Sequence, residues 1–322
     1  MQDQSTPPGI LFDSDIGRTI DAALALAMLH NLGRKGRLIA TGLATSSLEA
    51  AQFCDAVERF YQIGQRISSN RGVGIGYLES SPKLIAAPML TVPLAMKNAQ
   101  GSPIFRTSIQ SVDDTADVRI LFRNVLTNEE NAQATALLAG PATDFAATLA
   151  LNGAAELVAA KIRLLVLSAG SFADGPADPR IQAGIPAARQ LFARWPSPII
   201  AIGTETAAAI PFPGHSIETD FSWAAAHPIA ESYRAFHTMP YDAPAPAALA
   251  ALYLHDESAD YFHLSPPGRI DVSDDGRTKF TPSDSGKHRV LTIDPSAKDR
   301  VQQAMAALAS ARPAAPRFRG RG

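Results

Sequence analysis

Residues 10–29 read ILFDSDIGRTIDAALALAML. The apolar run that ends at Asp13 has the pattern of a short buried strand. The Ala/Leu stretch after Asp21 has helix propensity and a stop at Gly33. Three aspartates, Asp13, Asp15 and Asp21, therefore lie where a strand hands over to a helix, and in open parallel sheets ligands bind outside the carboxyl ends of the strands. Asp13 and Asp15 are like charges on a tight loop and repel unless a cation or donors offset them, so something positive is expected nearby. Asp21 can cap free backbone N–H groups of the helix as readily as it can bind a ligand. Gly17 lets the loop turn, but no G-x-G-x-x-G follows the strand, which argues against a dinucleotide site. The acids suit a hard cation such as calcium, or a sugar whose hydroxyls donate to carboxylates.

The same alternation continues outward. RLIATGLAT precedes SLEAAQFCDAVERFYQ, ATALLAG precedes PATDFAATLALNG, and IRLLVLSAG leads through a loop to IPAARQLFARW and then PIIAIGTE. Continuous apolar strands alternating with helices predict an α/β fold with an open, mostly parallel sheet and helices on both faces. Further on, helical patterns over Ala224–His237 and Ala247–Leu254 precede a segment whose PPG and DDG turns predict a C-terminal β-hairpin. Ser80 to Asp114 has little periodicity and four prolines, and reads as a long loop or flap over a site.

No linker divides the 322 residues, so one domain is expected over residues 9–311, with a disordered basic tail at 312–322. A formal net charge of -2 gives no electrostatic case for nucleic acid or an anionic membrane surface. Cys54 is the sole cysteine, which excludes an intramolecular disulfide and a thiolate zinc cluster. The N-terminus has no signal-peptide pattern and no run reaches the roughly 18 apolar residues of a membrane span, so a soluble, cytoplasmic protein is expected. The seven histidines lack metal-ligand spacing, and Trp195, before a proline at a helix end, reads as core packing.

The aspartate-rich stretch resembles the N-terminal signature of the inosine-uridine preferring nucleoside hydrolases, D-T-D-P-G-x-D-D-A. LAGPATDFAATLAL resembles their G-P-L/A-T-N-x-A segment, and LLVLSAG their strand ending in M-G-G. IPAARQLFARWPSPIIAIGTE and YDAPAPAALAALYL resemble later segments, so the likeness runs from about Gly9 to Asp294. It implies hydrolysis of the N-glycosidic bond of a ribonucleoside around one calcium ion. It also implies Asp15 as metal ligand and general base, Asp21 as ribose ligand, Thr143 as a backbone metal ligand, and a dimer or tetramer.

The chain departs from that pattern where the metal would sit. Ala22 replaces the second Asp of the pair, and Ala247 falls at the C-terminal metal-binding Asp unless an insertion lets Asp242 take that role. Calcium, which needs six to eight oxygens, is therefore expected to bind weakly or not at all. Ser47 stands at a ribose-contacting asparagine, and Asp178, Pro179 and Arg180 at the ribose-binding E-F/Y-N segment. Arg18 and Thr19 replace Asn and Asp, Pro246 occupies the place of a base-protonating histidine, and Glu205 ends a strand facing the crevice. Two acids are lost and two arginines gained, so a guanidinium from Arg18 or Arg180 can stand in for the metal by pairing with Asp15 or Asp21. The bland alternative is that both arginines point to solvent. Two functions compete: a hydrolase of an N-ribosyl compound with altered metal dependence, and a non-catalytic homologue that binds a ribosyl or other small polar ligand.

Overall fold

The computed structural model describes residues 6–62, 73–85 and 87–313. The strands are β1 (Gly9–Ser14), β2 (Arg37–Leu43), β3 (Gly74–Tyr77), β4 (Ala116–Asp117), β5 (Ala134–Ala139), β6 (Ile162–Leu167), β7 (Ile199–Ile202), β8 (Phe262–Leu264), β9 (Gly268–Val272), β10 (Thr278–Pro282) and β11 (His288–Ile293). They form one sheet in the order β10-β9-β11-β7-β6-β5-β1-β2-β3-β4, with β8 also paired to β11. The pairs from β4 across to β11 are parallel, and only β8, β9 and β10 join antiparallel.

Side chains alternate across a strand, so a strand covered on both faces must be apolar throughout. All six residues of β1 are buried. Ile10 and Phe12 join the core on one face, and Leu11 joins that on the other. The face under Phe12 carries two alanine-rich helices, Ile20–His30 and Pro246–His255, packed against each other. Both are apolar on all sides, and Ala22, Ala23, Ala25, Ala247, Ala248 and Ala251 have no solvent exposure. Small side chains let two such helices approach closely.

The chain winds from β1 through β2 and β3 to β4 on one side, then returns to start β5 on the other side of β1. The gap between β1 and β5 is thus a topological switch point, and the crevice at its carboxyl end is where such sheets bind ligands. Asp15 is the first residue beyond β1, and its N–H donates to the carbonyl of Ala139 at the end of β5 (3.3 Å).

Two expectations need correction, and a third, the C-terminal hairpin, is present. Ser80 to Asp114 is not only loop, because Pro88–Ala95 is helical with Pro93 inside it. The helix expected from Ala224 begins at Pro228, whose ring presets the first-turn φ and whose missing N–H belongs to a group of unpaired helix donors. The hairpin β9–β10 is present, but β11 inserts between it and β7, so a late segment completes the central sheet. The expected basic tail lies, from residue 314 on, outside the described residues. Arg312 stands 5.7 Å over the ring of Trp223. Among the described residues no helix is long and apolar enough to cross a membrane.

Candidate functional site

The loop after β1 turns at Gly17, whose φ of +100° is strained for any residue with a Cβ. Gly140, which follows β5, is required for another reason: a Cβ there would stand 2.8 Å from the Asp15 nitrogen. Two glycines thus bring the ends of β1 and β5 together and set Asp15 at the switch point. Leu84 and Leu90, from the segment expected to be a flap, close over Gly17.

Into this floor comes one long side chain from far along the sequence. Arg180 Nη2 donates to Asp15 Oδ1 (3.2 Å), to Asp21 Oδ1 and Oδ2 (3.0 and 3.1 Å) and to Thr19 Oγ1 (3.1 Å). Its Nη1 donates to the carbonyl of Ser168 just beyond β6 (3.0 Å). The guanidinium therefore spans the carboxyl end of β5, tying the β1 loop to the β6 loop. Arg180 is 8% exposed, Asp15 5% and Asp21 1%, so these charges are desolvated together and the one guanidinium offsets part of the charge of the two carboxylates. Burial alone disfavours a charged guanidinium, yet the carboxylates of Asp21, Asp15 and Asp178 hold its pKa above the ordinary value. Burial raises the Asp15 carboxyl above its usual range, against the opposing pull of Arg180.

Asp21 does more than pair with Arg180. It accepts from Thr19 Oγ1 (2.5 Å) and from the backbone N–H of Ala247 (3.1 Å). The latter is one of the unpaired first-turn donors of the Pro246–His255 helix. Asp21 therefore ties together two helices as well as the β1 loop.

The remaining candidates occupy other places. Arg18 is exposed and makes no side-chain ion pair among the described residues, so Arg180 is the arginine that meets the acids. The Asp178 carboxylate caps the Pro179–Gln182 helix, accepting from the N–H groups of Arg180 (2.7 Å) and Ile181 (3.3 Å). Ser47 Oγ accepts from the N–H of Ala50 (3.1 Å) at the start of the next helix and donates to Glu49. Thr143 opens the Thr143–Leu149 helix, with its hydroxyl toward Asp144. Glu205 lies further along the sheet, its Oε1 held by the N–H of Phe172 (3.1 Å), on the wall of a 690 Å³ cavity that also meets Phe172, Arg277 and Lys279. Asp242 is exposed and accepts from the N–H of Gly214 (2.7 Å), whereas Ala247 is the residue that touches Asp21.

Two features escaped the sequence reading. Ser168 lies at the end of β6 and holds Arg180 in place. Asp144 is the second: Asp13, fully buried, faces it within hydrogen-bonding reach, and burial together with the neighbouring carboxyl raises Asp13 well above the carboxylate range. Burial lifts Asp144 to about 7. Burial and the neighbouring Asp144 carboxyl favour the protonated form of Asp13, and the Ser14 backbone N–H pulls the other way. The expected positive partner is thus present for Asp15 but not for Asp13. The available signal was Asp144 standing at the asparagine of the G-P-L/A-T-N pattern.

The donor set does not fit calcium. Around Arg180 Nη2 the chain offers two carboxylates and one hydroxyl, and Ala22, next to Asp21 in the chain, and Ala247, bonded to it through its backbone N–H, have no side-chain oxygen to add. Among the described residues no group of three or more His, Cys, Asp or Glu is placed to hold a metal.

No family model matches the sequence, and no curated protein matches it. Solved structures do match along nearly the whole chain. The inosine-uridine preferring nucleoside hydrolase from Bacillus anthracis superimposes with a TM-score of 0.66 at 16% identity, covering 94% of this chain and 99% of that one. An inosine-guanosine nucleoside hydrolase gives 0.68 at 15% identity, with 94% and 98% covered. The type III effector protein XopQ, solved in complex with adenosine diphosphate ribose, gives 0.66 at 14% identity, with 95% and 94% covered. The fold of this chain is that of the nucleoside hydrolases.

Proposed function

We propose that this is a nucleoside-hydrolase-like protein that binds an N-ribosyl compound at the carboxyl ends of β1, β5 and β6, with N-glycosidic hydrolysis suppressed. The observation that carries this reading is the Arg180 guanidinium, which takes up both Asp21 oxygens and one oxygen of Asp15. Asp15 Oδ2, without a hydrogen-bond partner among the described residues, is left as an acceptor for a sugar hydroxyl. Arg18, exposed on the same loop, is a cation that an anionic extension of the sugar could meet. The neighbour solved with adenosine diphosphate ribose gives a precedent for a ligand of that kind on this fold. Hydrolysis also needs a proton donor for the leaving base, and the residue ahead of Ala247 is Pro246, which has none.

A second reading has one observation in its favour. Burial raises the Asp15 carboxyl, which moves it toward the proton affinity of a general base at neutral pH. In that case the chain hydrolyses its ribosyl compound slowly and without metal.

Titration calorimetry with ribose, inosine, uridine and adenosine diphosphate ribose, run beside an assay for release of the free base, separates these readings. Binding of at least one ribosyl compound, lost in Asp15→Asn and accompanied by no base release, is the expected outcome. Chelator-resistant turnover lost in Asp15→Asn would select the second reading. Absence of binding to every member of the panel would sink both.

A further inference from the structure

We infer that Arg180 is the permanent counter-ion of the β1 carboxylates, so that the wild-type site has no response to divalent cations and acquires one only when the guanidinium is removed. Asp15 and Asp21 are buried like charges at one strand end, and such a pair is tolerated only beside a positive partner. Arg180 Nη2 supplies it, with four oxygens of three residues between 3.0 and 3.2 Å. The same side chain is anchored from behind by the Ser168 carbonyl and by the capped turn at Asp178, so its position is built into the fold. Ala22 and Ala247 complete the exchange. Both are wholly buried in the core that the two alanine-rich helices share, so the volume beside Asp21 is apolar.

Removing the guanidinium should leave two buried acids without a cation, and a divalent ion is the simplest replacement. The inference shares residues with the ribosyl-site reading, but its test measures ion dependence alone, so either can fail without the other.

The experiment compares thermal unfolding of the full chain and of Arg180→Met in calcium and in chelator, with calorimetric titration of calcium alone. The wild type is expected to unfold at the same temperature in both buffers and to give no binding heat. Arg180→Met should unfold about 5–10 °C lower in chelator and recover part of that loss in millimolar calcium. If Arg180→Met fails to fold, adding Asp15→Asn and Asp21→Asn should restore folding, because the charge imbalance is then gone. A calcium-dependent rise in the wild-type unfolding temperature would overturn the inference. So would an Arg180→Met variant that is as stable as wild type and blind to calcium, or a triple variant that stays unfolded.

Discussion

Asp144 is a carboxylic acid buried against another carboxylic acid, and its effect on stability follows from the direction of its shift. The native pair keeps a proton that the unfolded chain has already released above its ordinary carboxylate pKa. The unfolded state therefore binds fewer protons, and stability falls as pH rises from about 4 toward the native value of about 7. Replacing Asp144 by Asn gives Asp13 a neutral donor and removes the part of this penalty that Asp144 contributes, while the burial of Asp13 remains. Asp144→Asn is expected to stabilise by about 1–3 kcal/mol at pH 8 and by much less near pH 4, read from urea unfolding at the two pH values. His227 acts in the opposite sense. Its ring is packed among Phe60, Phe221 and Trp223, its Nδ1 accepts from the N–H of Ile229, and burial lowers its pKa to about 3. His30, stacked on Tyr61, is lowered to about 4. Unfolding lets both take up protons below about pH 6.5, so stability should be lost as pH falls from there toward 4. Unfolding of His227→Asn between pH 7 and pH 4.5 should show a shallower loss than wild type.

The helices Ile20–His30 and Pro246–His255 show how small residues beside a buried acid serve as packing. Alanine at 22 and 247 is what the contact needs, since methyl groups allow two apolar helices to lie close together with no polar atom stranded. A carboxylate placed at either position would enter an apolar core beside acids that already share one guanidinium. Ala247→Asp in the otherwise native chain is thus expected to destabilise by about 3–5 kcal/mol, measured by urea unfolding. Overfilling the same contact with Ala25→Leu should cost about 1–3 kcal/mol in the same measurement. The elements are tied at their ends as well as along their faces, through the Asp21 carboxylate bonded to the Ala247 N–H. Strain introduced at one helix start will therefore reach the site.

Across the whole molecule, the last strand and helix close what the first ones open. β11 pairs in parallel with β7, and the Lys298–Ala309 helix packs on Ile20–His30, where the carbonyl of Leu308 accepts from Asn31 Nδ2 (3.0 Å). Ending the chain at Lys287 should abolish cooperative unfolding, because the edge of β7 and the outer face of the first helix would both lose their cover; thermal circular dichroism checks it. Much of the sheet was legible, since β1, β5, β6 and β7 are apolar runs that only a strand covered on both faces requires. β11 was not, because a strand that joins the centre of a sheet from the far end of the chain carries no local mark of its partner. The burial of Ala22 and Ala247 follows from the apolar pattern around them. That Arg180 and not Arg18 reaches Asp15 could not be read from position alone, because 165 positions separate the partners and only the folded β6 loop brings them together. Nor could the caps at Ser47 and Asp178, whose polar type suits a sugar as well as a helix start.

A guanidinium carried on the polypeptide differs from a free ion in one respect that its hydrogen bonds do not express. It has no dissociation constant. Its local concentration is set by the chain and does not vary with the ionic composition of the surroundings, so neither a chelator nor a competing cation can exchange with it. For the same reason it cannot open a coordination position for an incoming oxygen. The tether gives this pocket a charge balance that is always present, and it removes the ligand exchange through which a bound ion would take part in a reaction.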